Sequence, residues 1–188
     1  GGPGDDHLTG GRGDDTINGN GGNDTITPLR GKDTVDGGNG ADVVRLGSFA
    51  GFPHPFSADL KTIIGGAGGE VDVLQVLDNA DELDIFANAS SDPEIEGFIQ
   101  LFSGGGSSAP RVDLNLIGFE LFEVLEQSDE LFVNMLNVDY FRELAITGSD
   151  LRDVVNLEGF SGGETWVSTL GGNDTVLGDA GDDVVSTG

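Results

Sequence analysis

The sequence predicts an all-β chain coiled into a parallel β-solenoid, and three observations predict it. A nine-residue unit repeats five times from residue 1 without insertion. Each unit carries one aliphatic residue two places after an aspartate, and the unit returns near the C-terminal end after a phenylalanine-rich middle. The five units are GGPGDDHLT (1–9), GGRGDDTIN (10–18), GNGGNDTIT (19–27), PLRGKDTVD (28–36) and GGNGADVVR (37–45). Position six is Asp6, Asp15, Asp24, Asp33 and Asp42; position eight is Leu8, Ile17, Ile26, Val35 and Val44.

Within a unit, the glycine-rich first six residues suit a tight turn, because glycine reaches positive φ freely and lets backbones approach. The last three, x-aliphatic-x, make a minimal strand whose middle side chain turns inward. Two units then close one flattened coil of 18 residues, so that repeats n and n+2 stack and their aspartates meet on one edge. Beyond residue 45 the register is lost. Residues 46–63, LGSFAGFPHPFSADLKTI, hold two prolines and three phenylalanines and are expected to form a loop or packed plug. GGAGGEVDVLQV (65–76) looks like a repeat with two extra residues, and NADELDIF (79–86) resembles QSDELFVN (127–134), as rungs with longer turns would.

VDLNL (112–116) alternates with period two, and LFVNM (131–135) and ELAIT (143–147) do so more loosely, which predicts strands. GFELFEVLE (118–126) has the pattern of an isolated amphipathic helix, but its flanks favour strand. SGGGSSAP (103–110) is expected to be a flexible connection. All eleven phenylalanines lie between Phe49 and Phe160, so the middle needs a thicker core than its flanks. The array returns as GSDLRDVVN (148–156), FSGGETWVS (160–168), TLGGNDTVL (169–177) and GDAGDDVVS (178–186). The expected organisation is a repeat array at 1–45, a wider Phe-rich segment with loops at 46–147, and degenerate then regular repeats at 148–188.

Composition narrows the function. The 33 glycines follow no every-third-residue period, which excludes collagen. With 34 carboxylates against 8 cationic side chains, the net charge of −26 opposes a compact state unless something positive neutralises it. Nucleic acid and anionic membrane are therefore poor partners, and divalent cations good ones. There is no cysteine, so disulfides and thiolate metal sites are absent. No apolar run approaches the roughly 18 residues of a membrane helix. The chain starts and stops inside a repeat, and is expected to be a segment of a longer protein.

Stacked carboxylates repel strongly at close range unless a cation lies between them. Turn carbonyls join them as oxygen-only ligands, a set that suits a hard cation, and flexible six- to eightfold geometry favours Ca²⁺ over Mg²⁺. No histidine or cysteine belongs to the pattern, which argues against zinc or copper. His7 falls at an outward strand position and His54 between two prolines, so both are expected to be structural or solvated. Arg12-Gly13-Asp14 spells an integrin-binding tripeptide, but the repeat frame already accounts for all three residues. No Ser-His-acid arrangement, HExxH or phosphate-binding glycine loop is present, and no catalysis is expected.

The frames resemble the glycine-aspartate nonapeptide repeat of the RTX (haemolysin-type) calcium-binding family, G-G-x-G-x-D-x-U-x. The resemblance is close over 1–45 and 160–186. It implies a right-handed parallel β-helix or β-roll with several Ca²⁺ ions, each held between turns n and n+2. Carbonyls from positions two and four and the aspartate of the first turn would meet carbonyls from positions one and three and the aspartate of the second. One site would use Gly2, Gly4 and Asp6 with Gly19, Gly21 and Asp24; the opposite edge Gly11, Gly13 and Asp15 with Pro28, Arg30 and Asp33. A third would use Asn20, Gly22 and Asp24 with Gly37, Asn39 and Asp42. In the second array Asp174 and Asp183 match, but Thr165 stands where an aspartate should, so the site joining 160–168 to 178–186 is expected to be weaker or absent. The resemblance further implies export through a type I secretion system and folding on extracellular calcium. The expected function is a calcium-binding structural segment of a larger secreted or cell-surface protein, whose partners are calcium and neighbouring copies or domains of that protein. The alternative is a non-catalytic C-terminal secretion and folding module of an exported protease or lipase.

Overall fold

The computed structural model describes residues 1–47, 59–66, 70–78, 83–89, 97–103, 111–126, 129–136 and 138–188. Among these the chain forms seventeen strands and no helix. One sheet holds, in order, β1 (His7–Arg12), β3 (Thr25–Arg30), β5 (Val43–Gly47), β7 (Val73–Asp78), β11 (Leu121–Glu126), β13 (Glu143–Thr147), β15 (Glu164–Leu170) and β17 (Asp183–Thr187). The other runs β2 (Thr16–Gly21), β4 (Thr34–Asn39), β6 (Asp59–Gly66), β10 (Arg111–Ile117), β9 (Gly97–Ser103), β8 (Leu83–Ala89), β12 (Leu131–Leu136), β14 (Val154–Asn156) and β16 (Thr175–Leu177). The chain crosses from one sheet to the other after nearly every strand, and every pairing within the first sheet is parallel. This is a parallel β-solenoid.

The stacking period of the first array is the one the nine-residue frame requires. His7 pairs with Thr25 and Thr16 with Thr34, one unit lying over the next but one. Position eight faces inward: Ile26, Val35 and Val44 are fully buried, each contributing roughly 1.5–3 kcal/mol of transfer free energy. Val44 stacks on Leu74, Leu74 on Phe122 and Phe122 on Leu144, so one inward column continues through the middle. There β7, β11, β12 and β13 each bury two or three side chains instead of one, as with Leu131, Val133 and Met135 on β12. Phe119, Phe122, Phe141 and Phe160 fill the added width, and the rings of Phe122 and Phe141 stack at 5.1 Å.

The GFELFEVLE segment is strand β11, with Phe122, Val124 and Glu126 turned inward. The resemblance between 79–86 and 127–134 is spatial as well over its described part: β8 and β12 are parallel neighbours with Leu83 opposite Leu131 and Phe86 opposite Asn134. The purely parallel stacking expected of the middle fails at one strand. β8, β9 and β10 follow one another in the same sheet, with β9 antiparallel to both neighbours. A hairpin connection keeps the chain in one sheet, and the two added strands widen that sheet by about 10 Å. The expectation of loop or plug at 46–63 is corrected at its ends, since β5 runs to Gly47 and β6 starts at Asp59. Residues 48–58, with His54, and the 104–110 connection lie outside the described residues.

Candidate metal centre

The turns are built by backbone that few side chains tolerate. Position four is left-handed at Gly13, Gly22, Gly31 and Gly40, with φ of +116°, +103°, +121° and +126°. All but Gly13 are pressed on the turn beneath: a methyl on Gly22 would strike the Gly4 backbone, one on Gly31 would strike Gly13 O, and one on Gly40 would strike Gly22 O. Position two is left-handed as well, at Asn20 (φ 78°), Leu29 (φ 64°) and Gly38 (φ 110°). Leu29 therefore holds a strained conformation while 43% exposed.

These turns bring the position-six aspartates into columns. Asp24 Oδ1 accepts the Asp6 amide at 2.8 Å, Asp42 Oδ1 the Asp24 amide at 2.8 Å, and Asp33 Oδ1 the Asp15 amide at 3.0 Å. The first-edge column passes beyond the frame, with Asp72 Oδ1 accepting from the Asp42 amide at 2.8 Å and Glu120 Oε2 from the Asp72 amide at 2.9 Å. One oxygen of each carboxylate is thus spent on the backbone. The second oxygen is what matters for a ligand: Oδ2 of Asp15, Asp24 and Asp42 is shielded from solvent and accepts no hydrogen bond.

Each of these oxygens faces a carbonyl of the next coil. A methyl on Gly37 would strike Gly65 O and lie 2.5 Å from Asp42 Oδ2. One on Gly10 would meet Pro28 O and Asp15 Oδ2, and one on Gly19 would meet Gly37 O and Asp24 Oδ2. Position one is glycine at these places because any side chain would wedge between the two acceptors. Asp24 and Asp42 are 1% and 0% exposed. A buried, unpartnered carboxylate oxygen opposite a carbonyl is costly in itself, and a hard cation removes that cost. Among the described residues no three carboxylate or imidazole side chains group by themselves, so backbone carbonyls must complete any such shell.

On the second edge the structure shows what a cation does there. Thr62 pairs with Thr34, which sets Lys61 in the aspartate position above Asp33. Its Nζ lies 2.5 Å from Asp33 Oδ2 and 2.7 Å from Gly31 O, with the two side chains 3% and 0% exposed. An ammonium holds a carboxylate and a turn carbonyl together, and Asp33 Oδ2 has the partner that Asp24 Oδ2 lacks.

Electrostatics follow from this crowding. Burial raises the Asp42 carboxyl above its ordinary value, with Asp24 and Asp36 adding repulsion against its backbone hydrogen bond. Burial pushes Asp72 up to about 6, helped by the charges of Asp42, Glu120 and Glu70. Near the C-terminal end Asp153 is likewise pushed up to about 6 by burial, then by Asp174 and Glu126.

Of the residues picked from sequence, Asp6, Asp24 and Asp42 form one column, and Asp15 and Asp33 another. Asp174 and Asp183 do not stack on each other; they open β16 and β17, in different sheets. Asp174 Oδ1 accepts the Asp153 amide at 3.1 Å, and Asp183 accepts the Thr165 hydroxyl.

The model of the RTX calcium-binding nonapeptide repeat matches this chain in four copies, over residues 1–35, 29–52 and 161–188. Over those residues the chain is similar to RTX calcium-binding repeats. No curated protein and no solved structure matches it. Several residues of the carboxylate columns were missed in the sequence. Asp153 could have been found, since it is position six of 148–156. So could the position-five side chains, where Asp5 Oδ1, Asp14 Oδ1 and Asn23 Oδ1 accept the amides of Asn23, Lys32 and Ala41. Asp72 could have been found too, since 65–76 reads as a repeat with two extra residues and Asp72 stands two places before Leu74; Lys61 and Glu120 lie outside any nine-residue frame, and no local signal marks them.

Proposed function

We propose that this chain is a non-catalytic structural segment of a larger secreted or cell-surface protein, which folds and stiffens on binding extracellular calcium. The observation that carries the reading is the pair of buried, unpartnered carboxylate oxygens on Asp24 and Asp42, each turned to a carbonyl of the next coil. The ligands would be Gly2, Gly4 and Asp6 with Gly19, Gly21 and Asp24; Asn20, Gly22 and Asp24 with Gly37, Asn39 and Asp42; and Gly11, Gly13 and Asp15 with Pro28, Arg30 and Asp33. In the second array Asp174, paired with Asp153, is the better placed, and Asp183, opposite a threonine, the poorer.

Binding confined to the folded state adds its free energy to folding. Extracellular calcium modules bind at about 10⁻⁴–10⁻³ M, so cytosolic calcium would leave the repeats without it. The −26 charge then keeps them expanded, a state that suits passage through a type I secretion channel. Outside the cell, calcium neutralises the columns and the coils zip together on the phenylalanine-filled middle. Circular dichroism and small-angle scattering with and without calcium test this. Strand signal and compaction should rise together as calcium is added; a chain equally compact and strand-rich in excess chelator would sink the proposal.

A further inference from the structure

The first-edge column does not stop where the nonapeptide frame stops. Val43 pairs with Val73, so Asp72 stands over Asp42 although 30 residues separate them instead of 18. The geometry repeats that of the array: the Asp42 amide donates to Asp72 Oδ1 at 2.8 Å, as the Asp24 amide does to Asp42 Oδ1. Gly65 has taken the position-one place, with Gly38 pairing with Gly66 on the strand below. A methyl on Gly37 would strike both Gly65 O and Asp42 Oδ2. Asp42 Oδ2 is the decisive atom, because it sits on a residue 0% exposed, accepts no hydrogen bond and faces the carbonyl of the coil that carries Asp72.

We propose a further calcium site between Asp42 and Asp72, outside the nonapeptide frame, drawing on Asp42 Oδ2, Gly65 O and the Asp72 carboxylate. Asp42 then serves two ions, closing one site toward Asp24 and opening another toward Asp72. The site couples the repeat array to the wider middle, so an ion there clamps β5 to β7 and ties the calcium-dependent coils to the phenylalanine core. Two carboxylates and a carbonyl select a hard divalent cation, and a ring of oxygens large enough to bridge two coils favours calcium over magnesium. The step to Glu120 repeats the amide bond but lacks the decisive atom: among the described residues the shielded, unpartnered oxygens of this column belong to Asp24 and Asp42, none to Asp72, and the residue in line after Glu120, Arg142, is exposed.

The proposal rests on the calcium reading of the repeats, and ion counting separates the two. Calcium bound at saturation is measured by equilibrium dialysis and elemental analysis for the wild-type chain, Asp72→Asn, Asp42→Asn and Glu120→Gln. The amides keep the acceptor for the backbone N–H and remove the charge the ion needs. Asp72→Asn should bind one ion fewer than wild type, Asp42→Asn two fewer, and Glu120→Gln the same number. Circular dichroism in calcium checks that each variant keeps its strand signal, and a variant that loses it is judged by the other, since the two losses are expected independently. An unchanged count in Asp72→Asn, or a loss of only one ion in Asp42→Asn, would overturn the site. A wild-type chain that binds no calcium would instead overturn the reading of the repeats.

Discussion

Replacing Lys61 by methionine removes a cation from a buried pair while keeping most of the apolar stem. The ammonium sits 2.5 Å from Asp33 Oδ2 and 2.7 Å from Gly31 O, and both side chains are almost wholly out of solvent. Solvent screening is minimal at that depth, and breaking one half of a buried pair typically costs about 3–5 kcal/mol. For a chain of this length that corresponds to a fall in Tm of roughly 6–20 °C. The cost has a remedy, however. Lys61→Met leaves Asp33 Oδ2 buried without a cation, as Asp24 Oδ2 is, and with Gly31 O still at hand as a second oxygen ligand, so calcium should take the place of the ammonium. Thermal unfolding followed by circular dichroism over a calcium series is the assay. The Tm deficit of Lys61→Met should be largest at low calcium and shrink toward several millimolar, giving this variant the steeper dependence on calcium. A deficit that is absent, or that stays constant across the series, would refute the view that Lys61 occupies a cation position.

Three further outcomes are expected. Leu29→Gly should stabilise the calcium-bound chain by about 0.5–1 kcal/mol, because the relief of a left-handed leucine exceeds glycine's entropic cost; a lowered Tm would contradict this. Asp24→Ala should lose more bound calcium than Asp6→Ala in a calorimetric titration, since Asp24 lies between two coils and Asp6 at the start of its column; equal losses would count against the stacking register. The pH dependence should be inverted without metal. Asp72 and Asp153 have folded values of about 6 against an ordinary 3.8, so the fold binds more protons than the unfolded chain, and stability present below pH 4 is lost as pH rises through 6. In chelator Tm should therefore rise between pH 7 and pH 5, while the calcium concentration needed for folding rises too; a chelated chain most stable at neutral pH would show that these carboxylates are not desolvated.

The array was legible because its rules are local. A tight turn needs glycine at fixed offsets, an inward side chain needs an aliphatic residue at position eight, and both lie within nine residues of each other. From those two needs follow the coil of two units, the inward column of Ile26 and Val44 and the aspartate columns. The strand at 121–126 was legible for a related reason, as its flanking strands repeat the same period-two burial. The echo between 79–86 and 127–134 marked two coils that stack.

Legibility ended where contacts are made by residues far apart in the chain. Nothing local says that β9 reverses direction, because an antiparallel strand and a parallel one bury alternate residues alike. Nor does the expanded repeat at 65–76 say that Asp72 stands above Asp42, since that place depends on how much chain the intervening coil absorbs. Lys61 is the sharpest case. By itself it reads as one of the 8 cationic side chains of a chain with a net charge of −26, to be placed in solvent. Only the pairing of β4 with β6 delivers its ammonium to the oxygens of Asp33 and Gly31. The sequence alone determined the repeat, its turn chemistry and the cation those oxygens favour, because covalent spacing sets which atoms a turn presents. The tertiary structure decided which coil lies above which, and so which carboxylate oxygens meet a lysine and which are left facing a carbonyl, because stacking depends on the length of every turn in between.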